Sequence, residues 1–161
     1  MEKNLLKRKL EPLFPQGKCD DNAKKSSTDI NLADLPTDPR KMIPISSYEA
    51  NVRDKVRRHY LQNGPCQPKS HKFPVTMFGK KPRRFNSAWF EQYGSWLEYS
   101  ESKDAAFCLC CYLFKPNIGE QGGGNCFVGE GYSNWKMNER FNIYVGGPNS
   151  THNQAWDNFK D

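Results

Sequence analysis

Apolar residues recur at helical spacing in Val52, Val56, Tyr60 and Leu61, at i, i+4, i+8 and i+9. This predicts an amphipathic helix over 48–62 with Arg53, Lys55, Arg57 and Arg58 on its other faces. Ser46 or Ser47 is the expected cap, Glu49 falls in the first turn near the positive end of the dipole, and Gly64-Pro65 ends the run. Asn86 or Ser87 is placed to cap a short helix through Ala88–Tyr93, which Gly94 breaks. Trp96–Ser100 then alternates like a strand, Glu101–Asp104 reads as a turn, and the apolar run Ala105–Phe114 is the expected partner strand. Further on, Asn134–Met137 predicts a short helix, and Phe141, Ile143 and Val145 a brief strand. Ser150 or Thr151 caps a final helix with Ala155, Trp156 and Phe159 as its apolar stripe and His152 in its first turn.

Elsewhere the pattern is polar or broken. Residues 1–39 show neither period, and Asp20–Thr28 is polar apart from Ala23, so a disordered tail is expected there. Ile30, Leu32, Leu35, Ile43 and Ile45 are punctuated by Pro36, Pro39 and Pro44, which favours an extended connector or docking motif. Residues 65–74 read as an irregular arm, and residues 118–125 as a glycine-rich loop without the Gly-Lys-Ser/Thr of a phosphate-binding loop. The expected organisation is therefore a tail (1–39), a basic arm with one amphipathic helix (40–85) and a small folded core (86–161).

Composition sharpens this reading. Only 36% of the 161 residues are hydrophobic and mean hydropathy is −0.89, too little apolar material for a large core over the whole chain. Aromatics are plentiful, and a small aromatic-rich fold is a common setting for a structural metal. Trp89, Phe90, Trp96 and Tyr99 are read as packing residues. No membrane-length apolar run and no secretory leader is visible, so an intracellular chain with reduced cysteines is expected, with no membrane partner. Charge is unevenly spread: residues 40–85 carry 12 Lys/Arg against Glu49 and Asp54, whereas residues 86–161 carry five against nine acids. A basic third of a chain is the footprint of a polyanion partner. Lys80, Lys81, Arg83 and Arg84, with Arg57 and Arg58 from the helix, are the candidate phosphate contacts.

The candidate chemistry lies in Phe107–Phe114. Cys108 and Cys111 form a C-x-x-C pair, the spacing that brings two thiolates from one turn to a tetrahedral Zn²⁺. Cys66 and His71 are ligands by type, but they sit in a proline-rich arm without a second nearby Cys. Cys19 falls in the expected tail and is assigned no structural role.

Several segments taken in order resemble the TTF-type zinc finger of hAT-superfamily transposase-derived proteins, among them zinc finger MYM-type-like proteins. They are Arg84-Phe85 through Trp89-Phe90, Trp96–Tyr99, and Ala105-Ala106-Phe107-Cys108-x-x-Cys111-x-x-Phe114. Gly131-Tyr132-x-Asn134-Trp135-Lys136 and Asn149-Ser150-x-His152-Asn153 complete the series, which spans about residues 40–161. The resemblance implies a small α+β zinc-binding domain, with a β-hairpin carrying the CxxC knuckle plus short helices, preceding an RNase-H-like core. It adds His152 as a zinc ligand. It also implies a second His where this chain has Tyr144, a poor ligand because a neutral phenol has a reference pKa near ~10. The fourth position then falls to water, Tyr144, Cys110 or Cys126.

The expected function is a non-catalytic, zinc-dependent DNA-binding module of the nucleus without the acidic triad of a transposase core. Lys7-Arg8-Lys9 is a minimal import cluster. The alternatives are a zinc domain that docks a protein partner or dimerises, and a degenerate finger with impaired metal binding.

Overall fold

The computed structural model describes residues 29–115 and 126–161. The glycine-rich segment and most of the expected tail, including Cys19 and Lys7–Lys9, lie outside the described residues. The chain runs through α1 (Ala50–Asn63), β1 (Thr76–Phe78), β2 (Lys81–Arg83), α2 (Trp89–Tyr93), β3 (Leu97–Ser100) and β4 (Ala105–Cys108). It continues through α3 (Leu109–Phe114), α4 (Arg140–Val145) and α5 (Thr151–Lys160). The described strands make two separate antiparallel pairs, β1–β2 and β3–β4. The result is a small α+β fold.

Two apolar clusters share one short helix. Phe73, Phe85, Trp89, Phe90, Trp96 and Tyr99 lie in the larger, together with Phe127, Trp135 and Phe141. Ile45, Tyr48, Val52, Val56 and Tyr60 form the smaller with Leu109 and Leu113. Thus α3 turns its leucines to the α1 side, while Cys108, Cys110 and Cys111 belong to the aromatic side.

Val52, Val56 and Tyr60 of the α1 stripe are buried as their spacing requires, Leu61 is partly buried, and Gly64 ends the helix at φ 70. Its N-cap is Glu49 and carries no side-chain cap bond, so neither Ser46 nor Ser47 caps it. Instead Arg53 gathers the incoming turn, donating to the Tyr48 and Ser46 carbonyls at 2.9 and 3.0 Å. Residues 29–39 fall within the expected disordered tail, yet they are held in place. Pro39 is buried, Ile30 and Leu35 pack on the smaller cluster, and Asp38 Oδ2 accepts from the Ser102 amide at 3.1 Å. Their prolines restrict the chain enough for a few apolar contacts to fix it.

Three further expectations change. Ala105–Phe114 is strand only to Cys108, where the chain turns into α3; an unbroken apolar run does not separate strand from buried helix by period. Phe141–Val145 lies on α4 and not on a strand, with Phe141 alone buried inward. Asn134–Met137 forms turns, closed by Met137 N–H to the Asn134 carbonyl at 3.0 Å, and no helix.

All four residues of β3 are buried. One side of the strand is covered by the arm at Cys66-Gln67, whose Cys66 carbonyl accepts from the Tyr99 amide at 2.9 Å. Gln67 Nε2 bridges the Gly94 and Leu97 carbonyls at 3.0 and 2.9 Å. On β4, Ala106 exchanges backbone bonds with Tyr132, which brings Gly131 hard against the sheet. At φ 84, a Cβ on Gly131 would lie 2.6 Å from Ala105 Cβ and 2.7 Å from the Phe107 ring. Gly131→Ala is therefore expected to destabilise the fold by about 2–5 kcal/mol, from left-handed strain plus overpacking. Urea unfolding measures it, and a loss under about 1 kcal/mol would contradict this packing.

Candidate metal centre

Cysteine spacing becomes geometry through the β4–α3 junction. Cys108 is the last residue of β4 and the N-cap of α3, with extended φ −120. Its sulfur accepts from the Cys111 amide at 3.5 Å, as a side-chain cap does. In a continuous strand Cys111 would face away from Cys108 and Cys110. The turn into helix brings all three sulfurs to one side.

The fourth donor arrives on α5. Ser150 caps this helix by accepting from the Asn153 amide at 3.1 Å. Its hydroxyl donates to the Val145 carbonyl, and Asn153 Nδ2 donates to the Gly147 carbonyl at 2.7 Å. This brace fixes the α4–α5 turn and leaves His152 buried in the first turn of α5. The imidazole is held edge-on by Trp96 and Tyr144, with ring centroids 4.9 and 5.1 Å away.

Cys108, Cys110, Cys111 and His152 are all buried, and their ligand atoms lie within 4.8 Å of one another. His152 Nδ1 is 3.5, 3.9 and 3.7 Å from the sulfurs of Cys108, Cys110 and Cys111, and the Cys108 and Cys110 sulfurs are 3.4 Å apart. Zn–S near 2.3 Å and Zn–N near 2.0–2.1 Å in a tetrahedron require S···S of about 3.8 Å and S···N of about 3.6 Å. The donor set fits a tetrahedral soft-metal site, and a buried Cys₃His group of this kind could bind a metal.

The charge states agree. The Cys108 and Cys110 thiols, then the nearby His152 ring and Tyr144 hydroxyl, hold the Cys111 thiol far below its ordinary range. Burial drives Cys108 far above it. Cys110 receives a lowering hydrogen bond from Cys108 but is raised on balance by Cys111 and burial. Burial and the neighbouring sulfurs set the three thiols against ionising together, and a divalent cation is what would let all three do so.

Cys110 thus stands beside Cys108, Cys111 and His152, where the family resemblance points to residue 144. Tyr144 lies on α4 with its ring stacked on Phe127 at 4.1 Å, and its buried hydroxyl has no hydrogen-bond partner among the described residues. Burial, then the charges of Cys108 and Cys111, push its pKa far up, so it remains a neutral phenol beside the sulfurs. The C-x-C-C pattern at 108–111 is the available signal for Cys110. A strand reading hides it, because Cys110 and Cys111 alternate across a strand.

The other candidates lie elsewhere. Cys66 is half-buried in the arm, its thiol pushed up to about 12 by burial and by the nearby Glu98, Asp38 and Glu101. His71 Nδ1 faces Glu101 at 3.5 Å, and Cys126 is exposed. Lys80, Lys81, Arg83 and Arg84 sit together on the exposed β1–β2 hairpin, and Arg58 is exposed on α1. Arg57 differs from them: its Nε donates to the Leu113 carbonyl at 3.0 Å and its Nη1 to Asp54 at 3.0 Å, tying α1 to α3. That fixes Arg57 in the scaffold and makes it a weaker phosphate candidate than the hairpin cations.

Residues 125–161, which carry α4, α5 and His152, match the family described as ZMYM1/FAM200, RNase-like domain (DUF4371). The chain is also similar to zinc finger MYM-type protein 5 of Mus musculus, 31% identical over 99 residues. That alignment covers 56% of this chain and 14% of the mouse protein, so the chain spans about a seventh of its relative's length. Both similarities are to proteins of the ZMYM/FAM200 type. The match from residue 125 means that sequence resembling the RNase-like region is already present before residue 161, where the sequence reading places only the finger. No solved structure matches the chain. Among the described residues no helix is long and apolar enough to cross a membrane.

Proposed function

We propose that this chain is a structural zinc module, of the TTF type in its order of motifs, that presents a basic surface to duplex DNA in the nucleus. The buried Cys₃His cluster carries the reading: its donor atoms have the spacing of a closed, four-ligand site. Zn²⁺ would be held by Cys108, Cys110, Cys111 and His152 and would supply folding energy, with no open position for hydrolytic chemistry. The name of the mouse relative, a zinc finger protein, supports the choice of metal. The reading is of a binding module and not an enzyme.

The cluster sits at the seam of the two apolar clusters, so metal binding would fix α3 against α5 and with them the body that carries the hairpin. The cations of that hairpin would then act as phosphate contacts that position without reading sequence. Binding of the zinc-loaded chain to a mixed-sequence duplex should fall steeply with salt. Replacing Lys80 and Arg84 together by Ala should flatten the slope of log K against log salt by about 1.8. A salt-insensitive association, or a slope the double variant leaves unchanged, contradicts the phosphate assignment.

A second reading, docking of a protein partner, is favoured by one observation. A groove of about 660 Å³ runs beside the C-terminal half of α3, lined by Met42, Ile45, Val128, Arg40, Arg53 and Arg57 among others. Its lining of apolar side chains and arginines would suit a peptide with acidic and apolar side chains. Pull-down with such a peptide, insensitive to moderate salt, distinguishes the two. With Cys110 in the cluster, Tyr144 does not leave the site one donor short, which weighs against a degenerate finger.

A further inference from the structure

The β1–β2 hairpin has an unusual outer face. Its strands pair Thr76 with Arg83, Met77 with Pro82 and Phe78 with Lys81 across a two-residue turn, Gly79-Lys80. Gly79 sits at φ 65 and Lys80 has no positive φ, the pattern of a type II′ turn, which suits a tight and well-registered ribbon. Phe78 packs against the aromatic cluster, so its face of the ribbon is turned toward the body. Strand alternation then puts Val75, Met77, Pro82 and Arg84 on the opposite, outward face. Val75 is 55% and Met77 59% exposed.

Val75 and Met77 with Pro82 make a small exposed apolar ridge on one face of the ribbon, and it is the charge around it that gives it meaning. The charge around them selects the partner. Between Asp54 and Glu91 there is no acidic residue, while Lys55, Arg57, Arg58, Lys69, Lys72, Lys80, Lys81, Arg83 and Arg84 all fall in that interval. Among the described residues no carboxylate pairs with Lys80, Lys81, Arg83 or Arg84, although Lys69 finds Glu91 at 4.0 Å and Arg57 finds Asp54. A protein partner for an apolar ridge needs no such one-signed surround; a polyanion with an apolar interior does. Duplex DNA has that combination, since its base steps are apolar between two lines of phosphate. Met and Pro are among the side chains that wedge between base steps from the minor groove, with flanking cations on the phosphates.

We infer that the outer face of this hairpin is a minor-groove wedge, with Met77 and Pro82 against a base step and Lys80 of the turn and Arg84 of the same face on the flanking phosphates, so that the chain bends the duplex it binds. The inference rests on the DNA-binding reading above and adds which element enters which groove and what it does there. It also accounts for an apolar ridge that phosphate contact alone leaves unused.

The test is end-to-end fluorescence energy transfer on a doubly labelled duplex of about 25 base pairs, with the zinc-loaded 161-residue chain and its Met77→Ser and Val75→Ser variants. Both positions are exposed, so fold and metal content should be unchanged, and these are checked by melting and metal analysis. The expected result is a shortened end-to-end distance with the native chain. Met77→Ser should lose most of that shortening and bind about tenfold more weakly, with the salt slope retained. If the native chain binds with a steep salt slope but leaves the duplex straight, or Met77→Ser bends it equally, the wedge is wrong while the DNA-binding reading stands. If the zinc-loaded native chain does not bind the duplex at all, both readings fall.

Discussion

Cys110→Ser is expected to abolish stoichiometric zinc binding at neutral pH, as Cys108→Ser and His152→Ala should, whereas Cys66→Ser and Cys126→Ser should leave it intact. The Cys110 sulfur is 3.4 Å from the Cys108 sulfur and 3.9 Å from His152 Nδ1, as donors to one ion must be. Removing one of four donors should lower affinity by at least about 100-fold, more than loss of an outer-shell partner costs. Because structural zinc contributes on the order of 10 kcal/mol in small domains, the metal-free chain should also lose its cooperative melt. Tyr144→Phe should retain the metal and Tyr144→His should not tighten it. Cobalt substitution offers a readout beyond stoichiometry, since thiolate-to-cobalt charge-transfer intensity should drop in Cys110→Ser and stay level in Tyr144→Phe. Full zinc occupancy in Cys110→Ser, with tighter binding in Tyr144→His, would return the fourth position to residue 144.

The second large effect concerns Glu98. Its side chain is buried on β3; Oε1 accepts from the Cys66 amide at 3.1 Å, while Oε2 has no partner among the described residues. Burial, offset in part by the Cys66 amide and reinforced by Asp38, pushes its pKa up to about 8 from an ordinary 4.5. Between those values the unfolded chain has released a proton that the folded chain keeps, so stability falls as pH rises through this window and levels off above it. At about 1.4 kcal/mol per unit the full loss approaches about 5 kcal/mol as an upper bound. Glu98→Gln keeps an acceptor for the Cys66 amide and cannot ionise, so its stability should be nearly flat over the same range. Urea unfolding with zinc in excess, from about pH 6 to about pH 8.5, measures both chains. Parallel curves for the two would remove Glu98 as the cause. Thiolate ligands pull the other way, because acid protonates them and releases metal. The domain should therefore be most stable in a narrow band near neutrality.

Local signals in the chain already mark α1, the α2 segment, the β3–β4 hairpin and α5, because each has its own period and punctuation. Val52, Val56 and Tyr60 form one stripe, Gly64 and Gly94 stop helices at positive φ, and Ser150 caps α5 as its position predicts. Cys108, Cys111 and His152 are legible from spacing and from motif order. Three things were decided only by tertiary structure. The run from Ala105 to Phe114 is apolar throughout and has no period to read. It converts to helix at Leu109 because two apolar clusters meet there, one taking Leu109 and Leu113 and the other the cysteines. Cys110 enters the donor set only through that turn. Phe141–Val145 is helical because Phe141 alone must point inward while Tyr144 reaches Phe127 and His152 from the next turn. Periodicity records which side of an element is apolar, but the partner that covers it is chosen by contacts between residues far apart in the chain.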